Sequence, residues 1–210
     1  MKKKIENYLK NNRWYHGTTL NGWNKICELG VKSNYNIGNE LDFGYGFYLT
    51  PQSQQAEEYI KNLLKYSINF DFDIPMKNYH DKKIPIVIEF EICPWGLYEL
   101  NTYNFKILNA YDDDFANFVF HNRVNNINGE CHHNFDIIFG VMSDSVPTIL
   151  IQKYKNKEKT KQEVIEELKK STRNKQLSLH TQEVCDIIKP TRAYYVNTGE
   201  ELNVNDYRNK

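Results

Sequence analysis

The sequence predicts an α+β fold in a single domain over residues 1–210. Three observations lead there. Segments with helical spacing and short apolar strands alternate irregularly, without the strand–helix–strand rhythm of a doubly wound sheet. Two runs, 84–92 (IPIVIEFEI) and 135–141 (FDIIFGV), read as buried strands. And 40% apolar with 26% charged residues is ordinary globular composition, too apolar for a wholly disordered chain. The 210 residues suit one domain with at most a small appendage, and neither a repeat nor a Pro/Gly/Ser-rich linker divides them.

Residues 2–12 read as a short amphipathic helix or a frayed end. Trp14-Tyr15-His16-Gly17-Thr18-Thr19 is a short strand followed by a turn. From 20 to 30 the spacing is helical, with Trp23, Ile26 and Cys27 on one face and Gly30 suited to a left-handed cap. Residues 34–41 are polar and loop-like. Asp42-Phe43-Gly44-Tyr45-Gly46 then forms a tight turn into a strand, Phe47-Tyr48-Leu49-Thr50, which Pro51 stops. Ser53 reads as the N-cap of a helix over 54–66, with Ala56, Tyr59, Ile60, Leu63 and Leu64 as its apolar stripe.

Beyond the 84–92 strand, 96–108 offers one or two more. Asp112, Asp113 and Asp114 open a helix that carries Phe115, Phe118, Val119 and Asn122 on one side, and the acids complement its dipole. A Glu- and Lys-rich helix follows over 160–170, then a strand over 176–180 (QLSLH). Thr181 reads as the cap of a helix over 183–188, and 193–196, after Pro190, as a final strand.

Charge narrows the function. Lys+Arg and Asp+Glu are both 27, so the net charge is zero, which argues against a protein that works mainly by clamping phosphate backbones. No stretch approaches the roughly 18–20 apolar residues of a membrane span. The basic N-terminus is not followed by an apolar run, so no signal peptide is expected. Four cysteines are widely spaced without a CxxC, as expected for reduced thiols in a cytoplasmic protein.

Cys131-His132-His133 has metal-ligand residue types but no fourth ligand at zinc-like spacing, so an exposed loop and no metal are expected. The basic run 153–161, which includes Tyr154, reads as a solvated loop before a helix or as a local nucleic-acid patch. Arg123 either contacts a phosphate or complements a helix C-terminus.

Three polar spots lie on or beside apolar strands. His16-Gly17 joins a hydrogen-bonding ring to bare backbone. The Gly44-Tyr45-Gly46 turn runs into the aromatic strand at Phe47 and Tyr48, and has neither of the glycine-rich phosphate-loop patterns. Gln176 opens an alternating strand. In this order they resemble the ADP-ribosyltransferase superfamily, in the branch whose motif is a His, a Tyr and a third residue that is Glu or a replacement. Tyr15 to Thr18 match its Tyr-His-Gly-Thr, Gly46 to Thr50 its Gly-Phe-Tyr-Leu-Thr, and Gln176 its third position.

More narrowly, the chain resembles a bacterial and phage family of unknown function placed in that superfamily. That likeness lies in Asp42-Phe43-Gly44, in Asp114-Phe115-Ala116-Asn117-Phe118-Val119 leading to Asn122-Arg123, and in Phe135-Asp136-Ile137-Ile138-Phe139-Gly140. It covers about 12–188.

The resemblance implies a split β-sheet core with flanking helices, NAD⁺ as co-substrate and no metal. It implies catalytic roles for His16, Tyr48 and Gln176. Tyr15, His16, Gly17, Thr18, Phe43, Gly44, Tyr45, Phe47, Tyr48 and Arg123 would bind the dinucleotide. Gly17 would offer backbone donor and acceptor to the nicotinamide carboxamide, His16 would bond a ribose hydroxyl, and Tyr48 would stack on the nicotinamide ring, worth on the order of 1 kcal/mol. The implied activity is mono-ADP-ribosyl transfer to a protein or nucleic-acid acceptor. A toxin or phage–host conflict role with a neutralising partner is also implied.

Gln176 departs from the Glu of the best-studied members. It keeps hydrogen-bonding capacity but supplies no charge to a developing cation. The alternative is therefore a catalytically weak or inactive NAD-binding module of the same fold. An RNA 2′-phosphate transferase, a sister chemistry, would want a more basic chain.

Overall fold

A computed structural model describes residues 7–10, 12–34, 41–67, 83–92, 103–125, 132–143 and 147–207. In chain order its elements are β1 (Trp14–Thr19), α1 (Leu20–Leu29), β2 (Phe47–Leu49), α2 (Ser53–Ser67), β3 (Pro85–Ile92), β4 (Phe105–Leu108), α3 (Asp113–Asn125), β5 (Ile137–Ser143), α4 (Pro147–Lys155), α5 (Lys161–Leu168), β6 (Ser171–Leu179), α6 (Gln182–Cys185), β7 (Ile188–Tyr195) and β8 (Glu201–Leu202). The α+β expectation holds: helices accompany two four-stranded sheets, ordered β1-β3-β7-β8 and β2-β6-β5-β4. Among the described residues no helix is long and apolar enough to cross a membrane.

The chain divides into two compact units, each assembled from separate stretches. The first takes Met1–Val31, Leu49–Asn101 and Asp186–Lys210. Its strands β1, β3, β7 and β8 pair antiparallel throughout. Ile86, Val87, Ile88 and Phe90 of the interior strand β3 are completely buried, which explains why its sequence is a solid apolar run. Helices α1 and α2 pack on β1 and β3. Thr19 caps α1 by accepting from the Gly22 N–H at 3.2 Å, and Gly30, at φ 76°, closes it by donating to the Ile26 carbonyl.

The second unit takes Lys32–Tyr48 and Thr102–Cys185. Strand β5 pairs parallel with β4 and antiparallel with β6. Helices α3, α4 and α5 pack together beside a core of Phe43, Leu108, Phe115, Val119, Ile138 and Leu168. Each such side chain, fully buried, contributes about 1.5–3 kcal/mol. Asp112 accepts from the Phe115 N–H at 3.0 Å, so the acidic triplet starts α3 as its sequence suggests. Helix α5 begins with a reciprocal pair: Thr160 accepts from the Glu163 N–H at 3.3 Å, and the Glu163 carboxylate accepts from the Thr160 N–H at 2.7 Å.

Several boundaries differ from the sequence expectations. Helix α2 starts at Ser53 itself, so Ser53 is not its N-cap. Its buried stripe is narrow: Ala56 and Ile60 are buried, whereas Tyr59 and Leu63 are about half exposed. The expected 183–188 helix is the single turn α6, because Ile188 already belongs to β7. Strand β7 runs through Pro190 because the ladder is irregular there. Glu89 faces Arg192 and Phe90 faces Pro190, leaving Thr191 as an extra, bulged residue. The basic run 153–161 is not a simple loop, since Lys153 and Lys155 form the last turn of α4.

Of the strand content expected over 96–108, Tyr103 and Asn104 are not strand and 96–102 lie outside the described residues, as do the 35–40 loop, most of the 2–12 helix and the metal-like Cys131. So does Cys93. Cys27 and Cys185 are buried free thiols.

Candidate functional site

The polar groups of the second unit gather around the turn 42–46. That turn is built by two glycines with different jobs. Gly44 has φ 87°, a conformation that a side chain resists. Gly46 lies so close to the next strand that a β-carbon would stand 2.8 Å from the Leu179 carbonyl oxygen and 2.9 Å from His180 Nδ1. Tyr48, the strand residue after the turn, reaches back into it. Its hydroxyl donates to the Gly44 carbonyl at 2.6 Å and accepts from the Phe43 N–H at 3.1 Å. The phenol is thereby held in place, and the half-buried ring is oriented by its own turn.

Strand β6 seats this turn. Side chains alternate across a strand, so Gln176 and Ser178 share a face and Leu177 and Leu179 take the other. His180 follows on the polar side. At one end Gln176 Nε2 donates to Asp42 Oδ2 at 3.1 Å. At the other His180 Nδ1 donates to the Tyr45 carbonyl at 2.7 Å, and its Nε2 lies 2.8 Å from the Ser178 hydroxyl. A carbonyl can only accept, so the His180 proton is on Nδ1 and Nε2 accepts from Ser178. Burial lowers the His180 pKa to about 3, with neighbouring His133 adding to the effect and the Tyr45 bond opposing it.

His133 supplies a third tether. Its Nε2 donates to the Phe43 carbonyl at 2.7 Å and its Nδ1 accepts from the Phe135 N–H at 3.1 Å. Burial lowers its pKa as well. The two imidazoles meet edge to face at 4.6 Å. The Ser178–His180 pair has the spacing of a nucleophile and its base. Ser178 is nevertheless completely buried, out of reach of a substrate, and the pair's hydrogen bonds go to supporting the turn.

Asp42 is anchored from behind. Arg123, near the end of α3, donates to Asp42 Oδ1 from Nε at 3.0 Å and to Thr148 from Nη1 at 3.2 Å, and its Nη2 lies 2.9 Å from the same Oδ1 as an ion pair. Asp42, Arg123 and Gln176 are 8%, 6% and 6% exposed. The sequence suggests a phosphate contact or a helix-end charge for Arg123. It is instead the buried partner of a carboxylate 81 residues earlier in the chain. Phe43, expected to face a ligand, is wholly buried in the core against Gly140, and Phe47 is buried too. Tyr45 remains half-buried.

His16, Gly17, Tyr15 and Thr18 belong to the first unit, on β1. Tyr15 exchanges two backbone hydrogen bonds with Thr50, at 2.8 and 2.9 Å, on the edge of β1 away from β3. With the two-residue period of a strand, the Gly17 N–H and C=O leave by that same edge, while His16 faces Ile88 in the β1–β3 ladder. Gly17 must be glycine, since a β-carbon would sit 2.3 Å from the Ala56 carbonyl oxygen of α2. The Tyr15 phenol has a raised pKa, first through burial and then through Glu89.

The sequence weighs His133 only as a metal-ligand type and Asp42 only as part of the resemblance, and it does not single out Ser178 or His180 as site residues. One signal does exist: QLSLH is polar at every second position of a strand whose other residues are leucine. Among the described residues no group of three or more His, Cys, Asp or Glu is placed to hold a metal ion.

Comparison with curated proteins and with solved structures returns no match. A family model does match residues 15–189, which takes in β1, the 42–46 turn, α3 and β6, and the chain therefore belongs to the protein family of unknown function DUF3990.

Proposed function

We propose that the protein binds NAD⁺ and transfers its ADP-ribose unit to a macromolecular acceptor, a protein or a nucleic acid, in the manner of the ADP-ribosyltransferases its motifs resemble. The observation that carries this reading is the backbone of Gly17. A nicotinamide carboxamide needs a donor and an acceptor side by side. One residue on the outward edge of β1 offers both, next to the Tyr15–Thr50 pair that ends the pairing there. Tyr48, whose hydroxyl is committed to its own turn, is assigned the stacking on the nicotinamide ring.

In the reaction the nicotinamide–ribose bond breaks and nicotinamide leaves with the bonding pair. The acceptor's nucleophile then bonds the ribose carbon and loses its proton. His16 and Gln176 are assigned the ribose hydroxyls. A cytoplasmic site of action, a toxin role and a neutralising partner belong to the same proposal.

A second reading, an NAD-binding module with little turnover, is favoured by one observation. The carboxylate that touches Gln176, Asp42, is already paired with Arg123, so it offers a developing cation little net charge.

The test is incubation with labelled NAD⁺ and cell lysate, with released nicotinamide measured alongside. Labelling by the wild type and its loss in Tyr48→Ala, at a temperature where both melt as folded proteins, is the expected result. Equal labelling by the two removes Tyr48 from catalysis. Calorimetric binding of NAD⁺ without nicotinamide release selects the second reading, and no binding at all overturns both.

A further inference from the structure

We propose that Asp42 is the positioning residue for Gln176. It holds the amide nitrogen inward and thereby presents Oε1 as an acceptor to a hydroxyl-bearing ligand, which on the reading above, on which this rests, is a ribose of NAD⁺. The amide orientation follows from its neighbours. Gln176 Nε2 faces two acceptors, Asp42 Oδ2 at 3.1 Å and the Val141 carbonyl at 3.5 Å. Turning the amide over would set oxygen against oxygen at both. Oε1 is left with no donor among the described residues, although Gln176 is 6% exposed. The oxygen is not among the completely buried polar atoms that lack a partner, so it reaches the surface, where a ligand hydroxyl or water can bond it.

The orienting group is itself fixed. Arg123 Nε and Nη2 lie against Oδ1, and the Gln176 amide takes Oδ2. The same geometry accounts for glutamine at this position. A glutamate would put a second carboxylate about 3 Å from the first in a buried site, where like charges exclude each other. Asp42 and a glutamate at 176 could not both be ionised there without a cost in stability.

The experiment is a cycle of Asp42→Asn, Gln176→Glu and the double variant. Three readouts are taken: melting temperature, calorimetric affinity for NAD⁺ and for nicotinamide, and solvent exchange of the Gln176 side-chain amide protons by NMR. Wild-type amide protons are expected to exchange slowly with or without NAD⁺. Asp42→Asn frees the amide to turn, so NAD⁺ affinity falls about tenfold, the worth of one hydrogen bond, while nicotinamide affinity holds. Gln176→Glu lowers the melting temperature. The double variant recovers both properties, because the amide introduced by Asp42→Asn can donate to the new carboxylate.

If Asp42→Asn does not fold, Asp42→Asn with Arg123→Met removes the pair without stranding a charge and takes its place. Additive melting shifts, equal losses for NAD⁺ and nicotinamide, or fast-exchanging amide protons in the wild type would overturn the proposal. A wild type that binds neither compound overturns the ADP-ribosyl reading. Amide exchange and the melting cycle still decide whether Asp42 holds Gln176.

Discussion

At Gly46 the end of the neighbouring strand β6 comes so near that no side chain fits. Gly46→Ala must move either the Leu179 carbonyl or the His180 ring, and both are parts of the seat that holds the turn. A loss of roughly 1–3 kcal/mol in urea unfolding is expected, the usual cost of forcing atoms into packed space. The same substitution at Gly30, where nothing lies within 4 Å, meets only the resistance of a positive φ.

At this scale the sequence is legible where chemistry repeats a local pattern. The glycines and the aromatic strand at Phe47 and Tyr48 stand out by neighbours one to three residues away, whereas Gln176 stands out only through the resemblance. The partners of Asp42, His133 and His180 are not local. Asp42 and Gln176 are 134 residues apart, His133 and Phe43 90, and His180 and Tyr45 135, so only the folded chain reveals each partner. Arg123 shows the difference most plainly. Its position at a helix end suggests two local roles, and its actual partner lies in another stretch of the chain.

Among the elements, those with a strong period or a clear cap match their sequence expectations: α1 with its buried Trp23, Ile26 and Cys27, α3 with its acidic start, and the solid strand β3. Strand β7 departs from its expected bounds because proline normally ends pairing, and nothing in the sequence marks Thr191 as the bulged residue that accommodates Pro190. Helix α4 is hidden by its own basic end, which reads as solvated loop. Helix α5 offers a direct test of a cap. Thr160→Ala removes the side-chain acceptor for the Glu163 N–H and is expected to lower stability by about 1 kcal/mol, as read by thermal or urea melts. Little effect would mean that packing of Val164, Ile165 and Leu168 alone holds the helix.

For the molecule as a whole, the buried imidazoles couple stability to acid. Burial depresses the folded pKa of His180 to about 3 and lowers that of His133, against an ordinary value of 6.5. Below that ordinary value the unfolded chain takes up protons that the folded chain refuses. Unfolding free energy is therefore full above about pH 6.5 and falls as pH drops toward the folded value. Urea titrations at stepped pH should show this slope, and His180→Gln should flatten it. An unchanged slope would mean that other groups dominate acid unfolding.

The interleaving of the two units has a consequence for the order in which they can be made. A chain leaving the ribosome completes the second unit at Cys185, whereas the first still lacks Asp186–Lys210. Until β7 emerges, β3 is paired only with β1, and its other edge, the partner of Ile188–Tyr195, stands open. An apolar strand with a bare edge invites pairing with other chains. The nascent protein thus passes through an interval in which one unit has its full complement of strands while the other still shows the edge of β3 that β7 will cover.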